Sequence, residues 1–273
     1  LNITASITSV ELVNVPAGTF QRDADPANLS TVSAFKMSKY EITREQFLAI
    51  MDPSYTDEFS GETAPVVRIS WYHAIAFCNK LSIAEGLEPA YGVAGVDFSA
   101  MTYESMEIST NADWAEATCN WSANGYRLPT EMEWMWAAMG ADQDSLPGAM
   151  VGGVNVTGYA KIFAGSNGSN SLDAYAWYGD NSNSQSHSVG TKLANELGLH
   201  DMSGNVWELC WDWDGSYPAG SISDYRGAVN GWGRVTRGGS FYESDSYVLV
   251  AHRSHTIPSA TQYINTGFRV VRP

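Results

Sequence analysis

After residue 140 the helical periodicity of this chain stops, and from 141 to 235 nothing regular replaces it. That stretch is rich in Gly, Ser, Asn and Asp, a composition that would read as disordered if it stood alone. It is punctuated by short aromatic pieces such as Tyr175-Ala176-Trp177-Tyr178. Buried rings can hold a long loop in one conformation, so the stretch reads as ordered loops pinned by aromatic anchors. The whole chain agrees with this, carrying 10 Trp, 14 Tyr and 25 Gly. The pattern points to an irregular fold in which rings fill the core and glycines permit many turns.

Regular structure is expected on either side. Val13 to Phe20 and Ser33 to Tyr40 read as strands, the second alternating with period two. Three helices announce themselves by their caps. Thr43 stands three before Gln46 at the head of TREQFLAIM, and Thr130 three before Glu133 at the head of TEMEWMWAAMG. Ser70 opens SWYHAIAFCNKLSIAEG, where Ile75, Cys78 and Leu81 mark one apolar stripe and Gly86 closes the helix. Strands are expected again at Arg234–Arg237, Tyr247–His252 and Gly267–Val271. With no internal repeat and no linker, the expectation is one α+β domain over residues 1–273.

Composition narrows the function. A net charge of -15 argues against nucleic acid, whose phosphates need Lys and Arg, and against an anionic membrane surface. No apolar run reaches the roughly 20 residues of a membrane span. The chain opens LNITAS without Met, which leaves room for a removed signal or anchor segment. Cys78, Cys119 and Cys210 lack metal-site spacing and sit among apolar or aromatic neighbours, so buried, unreactive thiols are expected.

Five collinear blocks stand out. They are Val15-Pro16-Ala17-Gly18-Thr19-Phe20, then Pro65 to Trp71 running into Ala76-Phe77-Cys78-Asn79, then Gly125 to Glu131 with Glu133-Trp134. Gly198 to Glu208 follows, and Arg237-Gly238-Gly239-Ser240 with Gly267-Phe268-Arg269 closes the set. Together they resemble the formylglycine-generating-enzyme/sulfatase-modifying family, and the resemblance implies a C-type-lectin-like fold of formylglycine-generating-enzyme type: two or three helices, small twisted antiparallel sheets and extensive loops. A fold hosts unrelated activities, so the site must decide function.

In the enzymes a pair of cysteines shortly after the Gly-Gly-Ser motif binds copper, as suits soft thiolates. Here the matching positions fall near Glu243 and Val248, neither of which can replace sulfur, so no catalytic residue and no catalytic cofactor are expected. Iron, as in the sulfoxide synthases that share this domain, would need clustered histidines. His252 and His255 are three apart, which on a strand puts them on opposite faces. The resemblance also implies a structural Ca2+ wrapped by the segment Asp201 to Glu208, with the side chains of Asp201 and Glu208 and the backbone of Gly204 and Val206 as ligands. Arg127 and Glu131 are expected to form a structural ion pair or cap.

Between Gly231 and Thr266 the family's framework residues alternate with islands that follow neither helical nor strand logic. Phe241, Tyr242, Glu243, Ser244, Asp245, Ser246 and Tyr247 form one island. His252, Ser254, His255, Thr256 and Ile257 form another, and Thr261, Tyr263, Ile264 and Asn265 a third. Tyr, Ser, Asp, His and Asn dominate, a mixture like that of antibody-type binding loops. The pattern resembles the variable proteins of diversity-generating retroelements, in which adenines of a C-terminal repeat are rewritten. An Asn codon changed at its first two bases yields most of the residues present, though not Glu243 or Gln262. The resemblance implies a non-catalytic protein displaying a diversified surface from about 231 to 273, with Trp232 and these islands as ligand-binding positions. A protein ligand, a monomer, and a cell-surface or extracellular location with a lipid anchor are the matching expectations. An oxidoreductase of the formylglycine-generating type and an inactive sulfatase-modifying paralogue are the alternatives. Bound copper or iron with thiol-dependent oxygen uptake would mark the first, and a neighbouring sulfatase gene the second.

Overall fold

Three helices begin where their caps stand. The computed structural model describes residues 9–51, 61, 63–106 and 109–273; the opening LNITAS, on which the expectation of a removed leader rests, lies outside them. Thr43 caps α1 (Arg44–Ile50), Ser70 caps α2 (Trp71–Ala84), and α3 (Ala112–Ala115) is a single turn capped by Asn111. Thr130 caps α4 (Glu131–Ala138), its hydroxyl accepting from Glu133 N–H at 3.2 Å while the Glu133 carboxylate accepts from Thr130 N–H at 2.8 Å. Such a box satisfies two backbone donors that the first turn leaves free. The stripe expected on α2 is exceeded. Nearly every residue from Trp71 to Ser82 is buried, including His73 and Asn79, because chain packs against the helix all round.

The strands are shorter and more broken than expected. The Val13–Phe20 segment is two strands, β1 (Leu12–Val15) and β2 (Gly18–Gln21), which enter different sheets. Pro16 between them has no N–H to donate, and its carbonyl accepts the Trp136 indole N–H at 2.8 Å. β3 (Leu29–Val32) pairs with β2, and β4 (Phe35–Ser38) pairs with β1. β5 (Tyr91–Gly92) and β6 (Thr118–Cys119) make a small ribbon. β7 (Met150–Val151) and β8 (Val154–Asn155) extend the β2–β3 sheet.

The sheet that carries the site is built by β9 (Trp207–Trp213), β11 (Arg234–Arg237), β12 (Arg253–Thr256) and β13 (Thr266–Gly267), in the order β12-β11-β9-β13. β10 (Ile222–Ser223) joins the edge of β3, and β14 (Val271–Arg272) pairs with β4. The expected strand Gly267–Val271 therefore splits between two sheets. The expected strand Tyr247–His252 is absent: a 3-10 turn at Asp245–Tyr247 leads to a bend, and pairing starts only at Arg253. Two large apolar clusters form the core, one around α2 and one around α4. The Trp-rich strand β9 contributes to both, through Leu209 and Cys210.

Candidate functional site

The positions that would carry the thiolate pair are filled in two different ways. Val248 is buried with Ala176 and Tyr178, part of a small apolar cluster. Glu243 sits half-buried at the centre of a polar knot. Its Oε1 accepts from Trp207 Nε1 at 3.1 Å and from Asn265 Nδ2 at 3.1 Å, and its Oε2 accepts the Ser240 hydroxyl. One carboxylate thus ties together the start of β9, the 240–247 loop and the segment before β13. Charge-assisted bonds of this kind are about twice as strong as neutral ones.

The loop is also held from below by the residues that the sequence shows only as irregular. Gly179 N–H donates to the Glu243 carbonyl at 2.8 Å, Ser182 Oγ to the Phe241 carbonyl at 2.7 Å, and Phe241 N–H to the Asn205 carbonyl at 2.8 Å. Glycine is required at two further close approaches beside the loop. At Gly204 (φ +80°) an added Cβ would lie 2.2 Å from the Trp177 carbonyl oxygen, and at Gly239 (φ +74°) 2.7 Å from that of Tyr247.

The expected ligand-binding positions do not share one surface. Tyr242 is 63% exposed and Tyr247 42%, and Ser244, Asp245 and Ser246 are exposed between them. The Tyr247 and His252 rings lie 4.7 Å apart and both pack on Trp207, at 6.4 and 5.7 Å. Burial, then the nearby Arg237 charge, pulls the His252 pKa down. Asn265, half-buried, reaches the same loop through Ser240 and Glu243; Thr261 is half-buried, and Tyr263 is exposed with its carbonyl bonded by Arg68 N–H. Trp232 and His255 lie elsewhere. Their rings meet edge to face at 5.7 Å, and His255 Nδ1 is 3.1 Å from Asp214, which also lies 3.2 Å from Arg253. Alternation along β12 puts Arg253 and His255 on one face and His252 and Ser254 on the other.

Two of the expected positions are corrected. Phe241 is 2% exposed and packs with Val67, Val206 and Ile264; it is core, because the turn after Gly239 rotates it inward while sending Tyr242 out. Thr256 is buried opposite Arg234. Ile257, next in sequence, is exposed. Trp207 belongs to the site and was legible only as framework, and Asp214 carried no signal at all.

Beneath the sheet lies a buried ionic centre. Arg269 donates to both oxygens of Glu208 at 2.6 Å, and Trp134 Nε1 also donates to Glu208 at 2.6 Å. Glu208 is therefore the partner of a guanidinium rather than a free calcium ligand, a correction to the expected set. Asp201, at φ +58°, accepts Gly190 N–H at 2.7 Å through Oδ2, while its Oδ1 is buried with no hydrogen-bond partner. Burial above all pushes the Asp201 carboxyl up to about 6, and burial together with the Asp201 and Glu208 charges pushes Glu41 well above the usual range. Three buried carboxylates face one guanidinium, and the orphaned Oδ1 of Asp201 is a hard oxygen suited to a cation. Among the described residues no three His, Cys, Asp or Glu side chains converge as a metal-binding group, so a cation here would rest on Asp201 and backbone carbonyls.

The expected Arg127–Glu131 pair is also re-partnered. Arg127 makes a bidentate bond to Glu133, at 2.6 and 2.7 Å. Glu131 instead binds Arg253 at 2.8 and 2.9 Å and the Tyr217 hydroxyl at 2.8 Å, with Arg237 Nε 3.4 Å away. Glu131 is buried, and Arg127 and Glu133 line a separate cleft with Trp121 and Arg226. The thiols divide as well. Cys78 and Cys210 are buried, while Cys119 is partly exposed; all three are pushed up by burial, Cys119 to about 12.

Short strands around three helices with capping boxes, a loop-built rim and a thiolate position taken by a tied-down carboxylate define a C-type-lectin-like scaffold of the formylglycine-generating type. Residues 4–273 match the sulfatase-modifying factor enzyme 1-like domain, and the chain belongs to that family. Its structure is similar to that of Treponema denticola variable protein 1, with a TM-score of 0.83 and 37% identity over 98% of each chain. It is 35% identical over 255 residues to the chaperone protein LppX of Paenibacillus barcinonensis, covering 86% of this chain and 80% of that one. Similarity to the formylglycine-generating enzyme of Thermomonospora curvata is 28% over 291 residues, covering 94% and 92%. The chain thus shares its scaffold with enzymes and with a variable protein.

Proposed function

We propose that this chain is a non-catalytic ligand-binding protein, a variable protein of the diversity-generating-retroelement kind, whose rim around Trp207 receives a protein ligand. The carrying observation is the state of the two thiolate positions: Glu243 is bonded by Ser240, Trp207 and Asn265, and Val248 is packed under Tyr178. A carboxylate held this way stiffens a loop but supplies no soft ligand for copper and no redox couple. Around it stand Tyr242, Tyr247 and His252, rings that offer large contact area at little entropic cost. The likeness to the treponemal variable protein supports the same reading; a surface or extracellular location with a lipid anchor and a monomeric state belong to the proposal. A structural Ca2+ on Asp201 and the backbone of Gly204 and Val206 is part of the proposal; it would hold the 201–206 turn and take no part in binding.

The test is genetic and chemical. A downstream repeat differing from the 231–273 coding segment at adenines should show substitutions at Tyr242, Ser244, Ser246 and Tyr247 while the encoded residues at Phe241 and Thr256 stay apolar or small. Copper-dependent oxygen uptake with a cysteine-bearing peptide would overturn the proposal. The identity to a protein named as a chaperone favours a second reading, in which the rim holds an incompletely folded protein; preferential binding of a denatured over a native test protein would select it.

A further inference from the structure

Beside the 245–247 turn, at the edge of the rim described above, opens a groove of about 380 Å3 lined by Ile162, Phe163, Leu172, Asp245, Ser246 and Leu249. Its apolar walls come from the 162–172 segment, which the sequence shows only as loop. Leu172 packs on the buried cluster of Ala176, Tyr178 and Val248, so the groove lies directly over the position where the family's second thiolate is replaced by valine. Ile162 is 55% exposed, and Leu172 and Leu249 are half-buried. Neighbouring aliphatic side chains left open to water in a concave site mark a surface that gains by being covered.

Its border is acidic. Asp173, Asp180 and Asp245 are all exposed. The Tyr178 hydroxyl donates to Asp173 at 2.8 Å; that bond first, then burial, then the charges of Asp173, Asp180 and Asp245 raise the pKa of the phenol to about 12. The facing cation is Lys192, whose amine bonds the Asp173 carbonyl and lies 3.8 Å from the Trp177 ring centroid. One ammonium against three carboxylates leaves the border negative, on a chain whose net charge is -15.

We propose that this groove receives an aliphatic or aromatic side chain of the protein ligand, flanked in the ligand's own sequence by Lys or Arg. The inference rests on the ligand-binding reading and adds the chemistry of the partner. The apolar walls would exclude water from the inserted side chain, and the carboxylates would draw in and orient the basic neighbours. Four of the six lining residues lie before or outside the expected ligand-contacting islands, so a fixed subsite would stand beside a diversified one.

The experiment is a selection of random 12-residue peptides, displayed on phage, against the whole chain at low salt. Binders are then measured on Ile162→Glu, on Asp180→Asn and Asp245→Asn, and on a joint Tyr242→Ala, Tyr247→Ala, Tyr263→Ala variant, with melting curves to confirm that each is folded. Ile162 and both aspartates are exposed, so their replacement leaves the core intact. The expected result is enrichment of Lys or Arg beside Leu, Ile or Phe. Affinity should fall about tenfold or more on Ile162→Glu and about two- to fivefold for each carboxylate removed, and should weaken with salt. Peptides without that pattern, or an empty selection, would overturn the inference. Binders indifferent to Ile162→Glu but lost on the tyrosine variant would overturn it while leaving the binding function standing; binders lost on neither would count against both.

Discussion

Replacing Asp201 by Asn separates the cost of a buried charge from the benefit of a cation. Asn keeps a carbonyl oxygen for Gly190 N–H and tolerates the left-handed backbone at φ +58°. What it removes is a carboxylate with one orphaned oxygen, displaced from 3.8 to about 6 chiefly by burial. The sign follows from linkage. An acid whose folded-state pKa is raised binds its proton more tightly when folded, so its contribution is most favourable below about pH 3.8. That contribution is lost as pH rises through about 6. At 1.36 kcal/mol per pH unit, the charge costs the folded chain up to about 3 kcal/mol above pH 7. Part of that cost is shared with Glu41, so a gain of about 1–3 kcal/mol is expected for Asp201→Asn at pH 7.5 in EDTA. The gain should vanish near pH 4, where the native carboxyl is already neutral. Urea unfolding at the two pH values measures it, with and without millimolar Ca2+. Calcium should stabilise the wild-type chain at pH 7.5 and leave the variant unmoved. Equal destabilisation of the variant at both pH values would refute the burial argument. A pH-dependent gain with no response of the wild-type chain to Ca2+ would refute only the cation.

Three further outcomes follow from neighbouring contrasts. Phe241→Ala should cost about 3–5 kcal/mol in urea unfolding, as for a buried ring, whereas Tyr242→Ala should stay within about 0.5 kcal/mol; similar values would mean that the loop is turned the other way. Glu133→Ala leaves Arg127 buried without its bidentate partner and opens the cap of α4. A loss of about 3–5 kcal/mol is expected, larger than for Glu11→Ala, whose exposed pair with Lys39 should move stability by under about 1 kcal/mol. Cys119, partly exposed but raised to about 12, should be alkylated by iodoacetamide at pH 8 on the order of a thousandfold more slowly than a free thiol of ordinary pKa. Labelling of the native chain at the free-thiol rate would contradict that environment.

Local chemistry was legible in the sequence. Thr43, Ser70 and Thr130 start their helices because a cap satisfies backbone donors within three residues, and no distant contact is needed. The loop stretch after residue 140 is ordered by the rings that punctuate it, with Trp177 stacked on His187 and Tyr175 packed on Phe163. The family blocks marked the scaffold, and Glu243 and Val248 marked where the chain departs from the thiolate pair that the resemblance implies. Tertiary structure decided the rest. Segments without period have no face of their own, so the inward turn of Phe241 and the outward turn of Tyr242 depend on Gly239 packed under Tyr247 and on Asn205 across the sheet. A carboxylate takes whichever cation packing brings within reach, and Glu131 found Arg253 and Arg237 from the far end of the chain while Glu133 took Arg127. Sequence spacing determines interactions that span a turn; those that span the molecule are determined only by how its layers pack.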